Sequence, residues 1–284
     1  MRVDLSNTKA LVTGGSSGIG FEAAKGLLNL GANVTITGRD QAKLELARDF
    51  LIKDTGKHSV TIIQADFSLL SDVEKVAQDA LGCSILINNA GLIDNERNTT
   101  ADGFERQWQV NVLAPALLIA RLHGAMPTDG RIVNVASGSH RRASLNLEDA
   151  NFQERPYRGL AAYGQSKLAL IMLTRMLSAR FGDAGPLINA VHPGVVRTNF
   201  GRDAGWIGTA FTVFKPFYLS ARRGAMTVLH CACSPFTAGV TGEYYERRAP
   251  RQPAPQALDS ITGEALLALL GQQLKLPKDV WARP

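Results

Sequence analysis

Tyr163 and Lys167 stand four residues apart in a segment with helical spacing, so their side chains share one face of the predicted helix. A lysine ammonium beside a tyrosine stabilises the phenolate and lowers the tyrosine pKa from its reference value of about 10. A tyrosine tuned in this way can donate or accept a proton during a reaction. No other tyrosine of the chain has a lysine four residues further on. The pair therefore predicts a centre of acid–base chemistry.

Three further polar residues are candidates for the same site. Ser137 ends a predicted strand, where a parallel sheet places its ligand, and its hydroxyl can hydrogen-bond a reacting oxygen. Ser139 is a close competitor for this role. Asn111 lies in a predicted long helix although asparagine is a weak helix former. It either serves the site or is a polar residue that faces solvent or caps a kink.

A glycine-rich segment, residues 13–20, separates the first predicted strand from the first predicted helix. Glycines permit a tight turn there, and the helix N-terminus offers N–H groups and a positive dipole to a pyrophosphate. The spacing Gly-x-x-x-Gly-x-Gly therefore predicts a dinucleotide site. The segment also fits Gly-x-Ser-x-Gly, the nucleophile elbow of serine hydrolases, with His192 or His230 available downstream. An elbow on the first strand is unusual for hydrolases, which disfavours this alternative.

The end of the second predicted strand distinguishes between two nicotinamide cofactors. An acid at this point binds the ribose hydroxyls of NAD, whereas an arginine accepts the 2′-phosphate of NADP. Gly38 occupies the acid position and Arg39 follows it, which favours NADP(H). The alternative is that Arg39 is a surface residue of an ordinary turn. Asp40 is a candidate cap for the next helix.

Strands and helices alternate through about residue 193, which is typical of a parallel sheet with helices on both faces. The predicted strands are 9–12, 33–37, 60–64, 84–88, 131–136 and 187–191, and the predicted helices are 19–30, 41–51, 70–81, 102–123 and 160–181. The fold class is therefore α/β, a doubly wound parallel sheet of Rossmann type. We expect one domain over residues 1–284, with a substrate-loop region at about 199–219 and a C-terminal extension at about 247–284.

Composition narrows the class of partner. The chain has 284 residues and a formal net charge of +6, but no nucleic-acid-binding motif accompanies the charge. Its three cysteines form no disulfide framework and no metal-ligand spacing. We see no apolar run of the length of a signal peptide or membrane helix. We therefore expect a cytoplasmic protein with no metal, no nucleic-acid partner and no integral membrane segment, and the sequence leaves a homo-oligomer open.

A series of short motifs carries a family resemblance. The motifs are, in order, Thr13-Gly14-x-x-x-Gly18-x-Gly20, Asp66, Asn88-Asn89-Ala90-Gly91, Asn111, Ser137, Tyr163-x-x-x-Lys167 and Pro193-Gly194-x-x-x-Thr198. With all of them in this order, the chain resembles the short-chain dehydrogenase/reductase superfamily over nearly its full length. Residues 162–169 and 191–198, and the long interval between Ser137 and Tyr163, are similar to the retinol dehydrogenase and WW-domain oxidoreductase branch.

The resemblance implies a role for each matching position. Tyr163 would be the acid/base, Lys167 would tune its pKa and bind ribose, Ser137 would orient the substrate, and Asn111 would anchor a water. The implied cofactor-binding set is Gly14, Ser16, Ser17, Gly18, Ile19, Gly20, Arg39, Asp66, Phe67, Asn89, Ala90, Gly91, Tyr163, Lys167, Pro193, Gly194, Val196 and Thr198. Within this set, Asp66 would meet the adenine. Ala136, in place of a more usual serine, is the one departure within these motifs, and we expect it to leave the chemistry intact.

These observations predict an NADP(H)-dependent oxidoreductase that interconverts a lipophilic carbonyl and its alcohol. The lipophilic substrate is inferred from residues 199–219, which are rich in aromatic residues and contain three glycines, as in a lid that closes over an apolar ligand. Packing of these aromatics on the core, or contact with a membrane surface, are the alternatives. The retinol branch carries an N-terminal membrane anchor that we do not expect here, which puts a membrane-bound retinoid role in doubt. A cofactor-binding regulator with a dormant site is the other function considered.

Overall fold

The computed structural model describes residues 3–194 and 220–281. The strands are β1 (Lys9–Val12), β2 (Asn33–Gly38), β3 (Val60–Gln64), β4 (Ile85–Asn88), β5 (Arg131–Val135), β6 (Leu187–His192), β7 (Tyr244–Glu246) and β8 (Ala249–Pro250). The helices are α1 (Gly18–Asn29), α2 (Gln41–Thr55), α3 (Leu70–Asp79), α4 (Arg106–Trp108), α5 (Ala114–Leu122), α6 (Gly159–Phe181), α7 (Ala221–Cys233) and α8 (Ser260–Gln273). Short 3₁₀ turns lie at His123–Ala125, Gly138–Arg142, Gly182–Ala184, Pro235–Thr237 and Pro255–Leu258.

The described strands form one sheet in the order β3-β2-β1-β4-β5-β6-β7-β8. All neighbouring pairs are parallel except β7 and β8, which are antiparallel. The order reverses between β1 and β4, and in open α/β sheets ligands bind beyond the carboxyl ends of the strands at such a point. The doubly wound α/β fold predicted from the sequence is confirmed.

Alternating side chains of the central strands enter two separate apolar cores. In β1, Leu11 packs with α3, α5, α6 and α8, whereas Ala10 and Val12 pack with α1, α2 and α7. In β5, Ile132 lies in the same core as Leu11, and Val133 lies in the same core as Ala10 and Val12. Because both faces are covered by helices, most residues of these strands are buried and apolar, which made the strands recognisable in the sequence.

The helical segment predicted between Asp102 and His123 has a more complex form. Helix α4 begins at Arg106, because the buried Glu105 carboxylate caps it by accepting the N–H groups of Gln107 (3.0 Å) and Trp108 (2.7 Å). A π turn, Gln109–Leu113, then joins α4 to α5. Inserted π turns often occur at functional sites. This turn contains Asn111.

The sequence pattern did not reveal the elements after residue 219. Helix α7 packs against α1, and α8 packs against α6. Leu266, Leu267 and Leu270 of α8 are buried in the same core as α5 and α6. The segment near residues 247–256, at the start of the expected C-terminal extension, contains β8 at the edge of the sheet. No helix in residues 3–194 or 220–281 has both the length and the apolar character needed to cross a bilayer.

Candidate active site

Helix α6 brings Tyr163 and Lys167 to the carboxyl edge of the sheet. Lys167 is 3% exposed, and its ammonium donates a hydrogen bond to the Val135 carbonyl oxygen at the end of β5 (2.9 Å). Its Nζ lies 5.7 Å from the centre of the Tyr163 ring. The i, i+4 spacing therefore places both side chains on one helix face, as expected.

Ser137 follows β5 and hydrogen-bonds to the Tyr163 hydroxyl. Its Oγ also accepts the N–H of Ser139 at 3.3 Å. The Ser139 hydroxyl is buried and has no hydrogen-bond partner in the described part of the chain. Of the two serines left open by the sequence, Ser137 is thus the one in contact with Tyr163.

Burial dominates the proton affinities of the central pair. It raises the pKa of Tyr163 to about 12, although the hydrogen bond from Ser137 opposes the rise. Burial lowers the pKa of Lys167 to about 8. The net shift of the Tyr163 pKa in this structure is therefore upward, whereas the sequence predicted a lowering by Lys167. At neutral pH Tyr163 is a neutral phenol, and it is suited to donating a proton.

Asn111 is fully buried and faces the site rather than solvent. Its Oδ1 accepts the N–H of Leu92 (2.9 Å), and its Nδ2 donates to the Leu92 carbonyl (3.0 Å) and to the Ser166 hydroxyl (3.0 Å). A Cβ at Gly91 would lie 3.1 Å from Asn111 Oδ1 and 3.3 Å from Lys167 Nζ. Asn111 therefore ties the chain after β4 to α6, directly beside Lys167.

The glycine turn after β1 has the geometry of an anion site. Gly14 and Gly18 have φ values of +65° and +59°, which favour glycine. A Cβ at Gly20 would overlap the Gly14 carbonyl oxygen. The side chain of Ser17 does not cap α1, and the first turn holds no acidic residue. The first N–H groups of α1 thus remain available to a phosphate.

Thr13 belongs to the motif series, but no role for its side chain was assigned from the sequence. Its Oγ1 accepts the N–H groups of Asn89 (3.0 Å) and Ala90 (2.9 Å). The Asn89 amide donates in return to the carbonyls of Thr13 (2.9 Å) and Gly14 (3.2 Å). These bonds lock the glycine turn to the chain after β4. A polar residue ending an otherwise apolar strand was the available signal.

The structure argues against the serine hydrolase alternative, because neither candidate histidine is paired with Ser16. Ser16 lies beside Gly38, where an added Cβ would be 3.3 Å from the Ser16 hydroxyl. His192 Nδ1 accepts the N–H of Gly138 (3.2 Å), and the His230 ring contacts Tyr245. Both histidines thus have other partners at other places in the fold.

The residues predicted to lie near the adenosine half of the cofactor differ in how far their side chains are already engaged by other residues. Arg39 is exposed at the end of β2, and its guanidinium forms no ion pair with any described residue. Asp40 caps α2 by accepting the Lys43 N–H (3.1 Å), as expected. The Asp66 carboxylate accepts the Ser68 hydroxyl (2.7 Å).

The side chain of Phe67, a predicted cofactor-binding residue, cannot contact a cofactor. It is 5% exposed and packs in the core, so only its backbone can face the site. At the end of β6, Pro193 is buried and Gly194 has a φ of +86°. Val196, Thr198 and the segment 199–219 lie outside the described residues.

Comparison with known proteins identifies relatives along most of the chain. The family model described as short chain dehydrogenase matches residues 8–205. Retinol dehydrogenase 13 of Homo sapiens is 34% identical over 272 residues, covering 91% of this chain and 82% of the relative. A probable oxidoreductase of Streptomyces antibioticus is 35% identical, covering 94% of each chain.

Solved structures show the same architecture. An uncharacterized protein from Mycobacterium Paratuberculosis superposes with a TM-score of 0.80 at 30% identity, covering 96% of this chain and 95% of that one. A short chain dehydrogenase from Burkholderia cenocepacia, in complex with NADP, has a TM-score of 0.69 at 26% identity, covering 88% and 100%. A blue fluorescent protein from a metagenomic library, in complex with NADPH, has a TM-score of 0.67 at 30% identity, covering 85% and 96%.

Proposed function

The chain belongs to the short-chain dehydrogenase family, and from this premise we propose that it interconverts a lipophilic carbonyl compound and its alcohol with NADP(H). The observation that carries the proposal is the hydrogen bond between Tyr163 and Ser137, with the buried Lys167 ammonium on the same helix face. This set of groups can supply a proton to an oxygen at the carboxyl edge of the sheet. The decisive experiment is the transfer of deuterium from labelled NADPH to a long-chain aldehyde.

Several features fit a nicotinamide dinucleotide. The uncapped N-terminus of α1 would bind the pyrophosphate. The Lys167 ammonium has three N–H groups and only one acceptor among the described residues, so it can also bind ribose hydroxyls. When bound, the cofactor would supply the hydride.

The roles of the side chains follow from their contacts. Ser137 would hold the substrate oxygen beside the Tyr163 hydroxyl. Tyr163 would then pass its phenolic proton to that oxygen, and the Lys167 ammonium would stabilise the phenolate left behind. Burial raises the pKa of Tyr163 to about 12, so at neutral pH the phenol holds the proton that this step requires.

We expect kcat/KM for NADPH to fall as pH rises through about 8. Below this pH Lys167 carries its charge, and above it the ammonium loses its proton because burial has lowered its pKa to about 8. The free enzyme's ionisations govern kcat/KM, so the profile reports this group. Lys167→Arg is the control. A guanidinium stays charged over this range, so kcat/KM for NADPH in this variant should not decline above pH 8. A wild-type profile that stays flat well above pH 8 would contradict the assignment.

We expect Arg39 to select the phosphorylated cofactor. Hydrogen bonds to charged groups contribute about 1.5–3 kcal/mol, so Arg39→Ala should weaken NADPH binding roughly 10- to 150-fold and leave NADH binding nearly unchanged. Fluorescence titration gives both Kd values. The matched control is Arg48→Ala, which removes an arginine of α2 that pairs with Asp49. Equal losses for both cofactors in the Arg39 variant would show that this arginine is only a surface residue.

We expect longer aldehydes to be better substrates. The basis is the aromatic and glycine composition of residues 199–219, together with relatives that are named retinol dehydrogenases. A buried methylene contributes about 0.8 kcal/mol, so kcat/KM should rise several-fold per carbon over the first additions to a homologous series. The KM for NADPH, measured alongside, should stay constant. A flat series, or a preference for short charged substrates, would exclude the lipophilic pocket.

A further inference from the structure

One peptide unit of the active site is held between two histidines. The carbonyl oxygen of Ser137 lies 2.6 Å from His140 Nδ1, and the next N–H, that of Gly138, donates to His192 Nδ1 at 3.2 Å. The C=O and N–H of a trans peptide point in opposite directions. The two rings therefore hold the Ser137–Gly138 peptide from opposite sides.

The hydrogen bonds require the two rings to carry their protons on different nitrogens. His140 Nδ1 faces a carbonyl and must donate, while its Nε2 accepts the N–H of Ala254 at 3.1 Å. His192 Nδ1 faces an N–H and must accept, so its proton resides on Nε2. Burial lowers the pKa of both histidines below the ordinary value of 6.5, so both are neutral at pH 7.

Packing fixes the two rings in place. His140 is fully buried and makes an edge-on contact with the Tyr244 ring, with centroids 4.9 Å apart. A Cβ at Gly138 would lie 3.2 Å from His192 Nε2, so the His192 ring lies directly over this glycine. The peptide thus has little room to rotate.

We propose that His140 and His192 are positioning residues, which clamp the Ser137–Gly138 peptide and thereby hold the Ser137 hydroxyl against Tyr163. Neither histidine is assigned a contact with substrate. The proposal rests on the proposed function of Ser137 and Tyr163. It matters for the reaction because a misplacement of about 1 Å in a catalytic group can cost about a hundredfold in rate. Through Ala254, His140 also connects Ser137 to the C-terminal part of the chain.

The first test determines which imidazole nitrogen carries the proton in His140 and in His192, and it does not depend on activity. The chain has five histidines, so long-range ¹H–¹⁵N correlation spectra of the imidazoles can be assigned by single substitutions. At neutral pH we expect the Nδ1–H form for His140 and the Nε2–H form for His192. The same tautomer in both rings, or a charged ring at either position, would overturn the clamp.

The second test uses two substitutions of His192 that differ in where they place an acceptor. The side-chain amide of asparagine lies near the position of imidazole Nδ1, and that of glutamine near Nε2. His192→Asn should therefore keep kcat for a lipophilic aldehyde within about twofold of wild type. His192→Gln should lower kcat about tenfold, the typical scale of one hydrogen bond, with KM for NADPH unchanged and similar Tm values.

Equal kcat values for the two variants would contradict the clamp, because a role in packing alone does not depend on where the acceptor lies. If wild type turns over no carbonyl, the proposed function fails, whereas the tautomer measurement still decides on the two histidines. The spectra of wild type also decide if both variants fail to fold.

Discussion

Tyr163→Phe is expected to lower kcat for carbonyl reduction by about 10²- to 10⁴-fold, the contribution of general acid catalysis, while the Kd for NADPH changes less than about twofold. The substitution removes only the phenolic oxygen, which hydrogen-bonds to Ser137. The ring remains, so its packing beside Lys167 is retained. Stopped-flow reduction of an aldehyde and a separate cofactor titration give the two quantities.

The control for this variant is Tyr245→Phe. Tyr245 is a buried tyrosine of β7 whose ring contacts His230, and it belongs to the core on the other face of the sheet. Its loss of a hydroxyl should leave kcat near the wild-type value. If Tyr163→Phe kept more than a tenth of the wild-type rate, Tyr163 would not be the proton donor.

Lys167→Ala should lower both kcat and cofactor affinity, because we propose that its ammonium both stabilises the phenolate and binds ribose. Loss of a charge-assisted hydrogen bond to ribose should weaken NADPH binding roughly 10- to 150-fold. Loss of charge beside the phenolate should lower kcat by about a hundredfold or more. The substitution also leaves the buried Val135 carbonyl without its Nζ donor, so Tm should fall. The same kinetic and binding assays, with a thermal melt, give all three results.

Lys25→Ala provides the comparison for this second variant. Lys25 lies on α1 and forms a partly exposed ion pair with Asp54, so its removal should leave kcat and Kd unchanged. The two site variants then differ in a diagnostic way. Tyr163→Phe should affect kcat alone, and Lys167→Ala should affect both kcat and Kd. An unchanged Kd in Lys167→Ala would exclude the ribose contact.

The central sheet could be predicted because burial on both faces makes most residues of its strands apolar. In β4, for example, every residue is buried. The elements after residue 219 lack such a signal. Strand β7 is three residues long and β8 only two, too short for periodicity to be visible. Their place at the edge of the sheet depends on long-range pairing with β6, which no local pattern encodes.

The types of residue at the site could be predicted, but their contacts could not. The residues alone left Ser139 as a competitor of Ser137, and only the fold shows that Ser137 contacts Tyr163. The pKa of Tyr163 was expected to fall beside an ammonium. It rises instead because of burial, which is a property of the whole fold, and the hydrogen bond from Ser137 only partly opposes the rise. The burial of the Phe67 ring in the core is likewise a property of the whole fold that the motif could not reveal.

The most direct test of the account follows the hydride itself. NADPH carrying deuterium at the transferable position of the nicotinamide ring, in each of its two stereospecific forms, is incubated with enzyme and a long-chain aldehyde. The alcohol product is then analysed by mass spectrometry. We predict one carbon-bound deuterium in the alcohol from one form of the cofactor and none from the other, with alcohol formed about 10²- to 10⁴-fold more slowly by Tyr163→Phe. Cofactor that binds but is never oxidised over a broad panel of lipophilic carbonyls, or alcohol that contains no deuterium from either form, would contradict it.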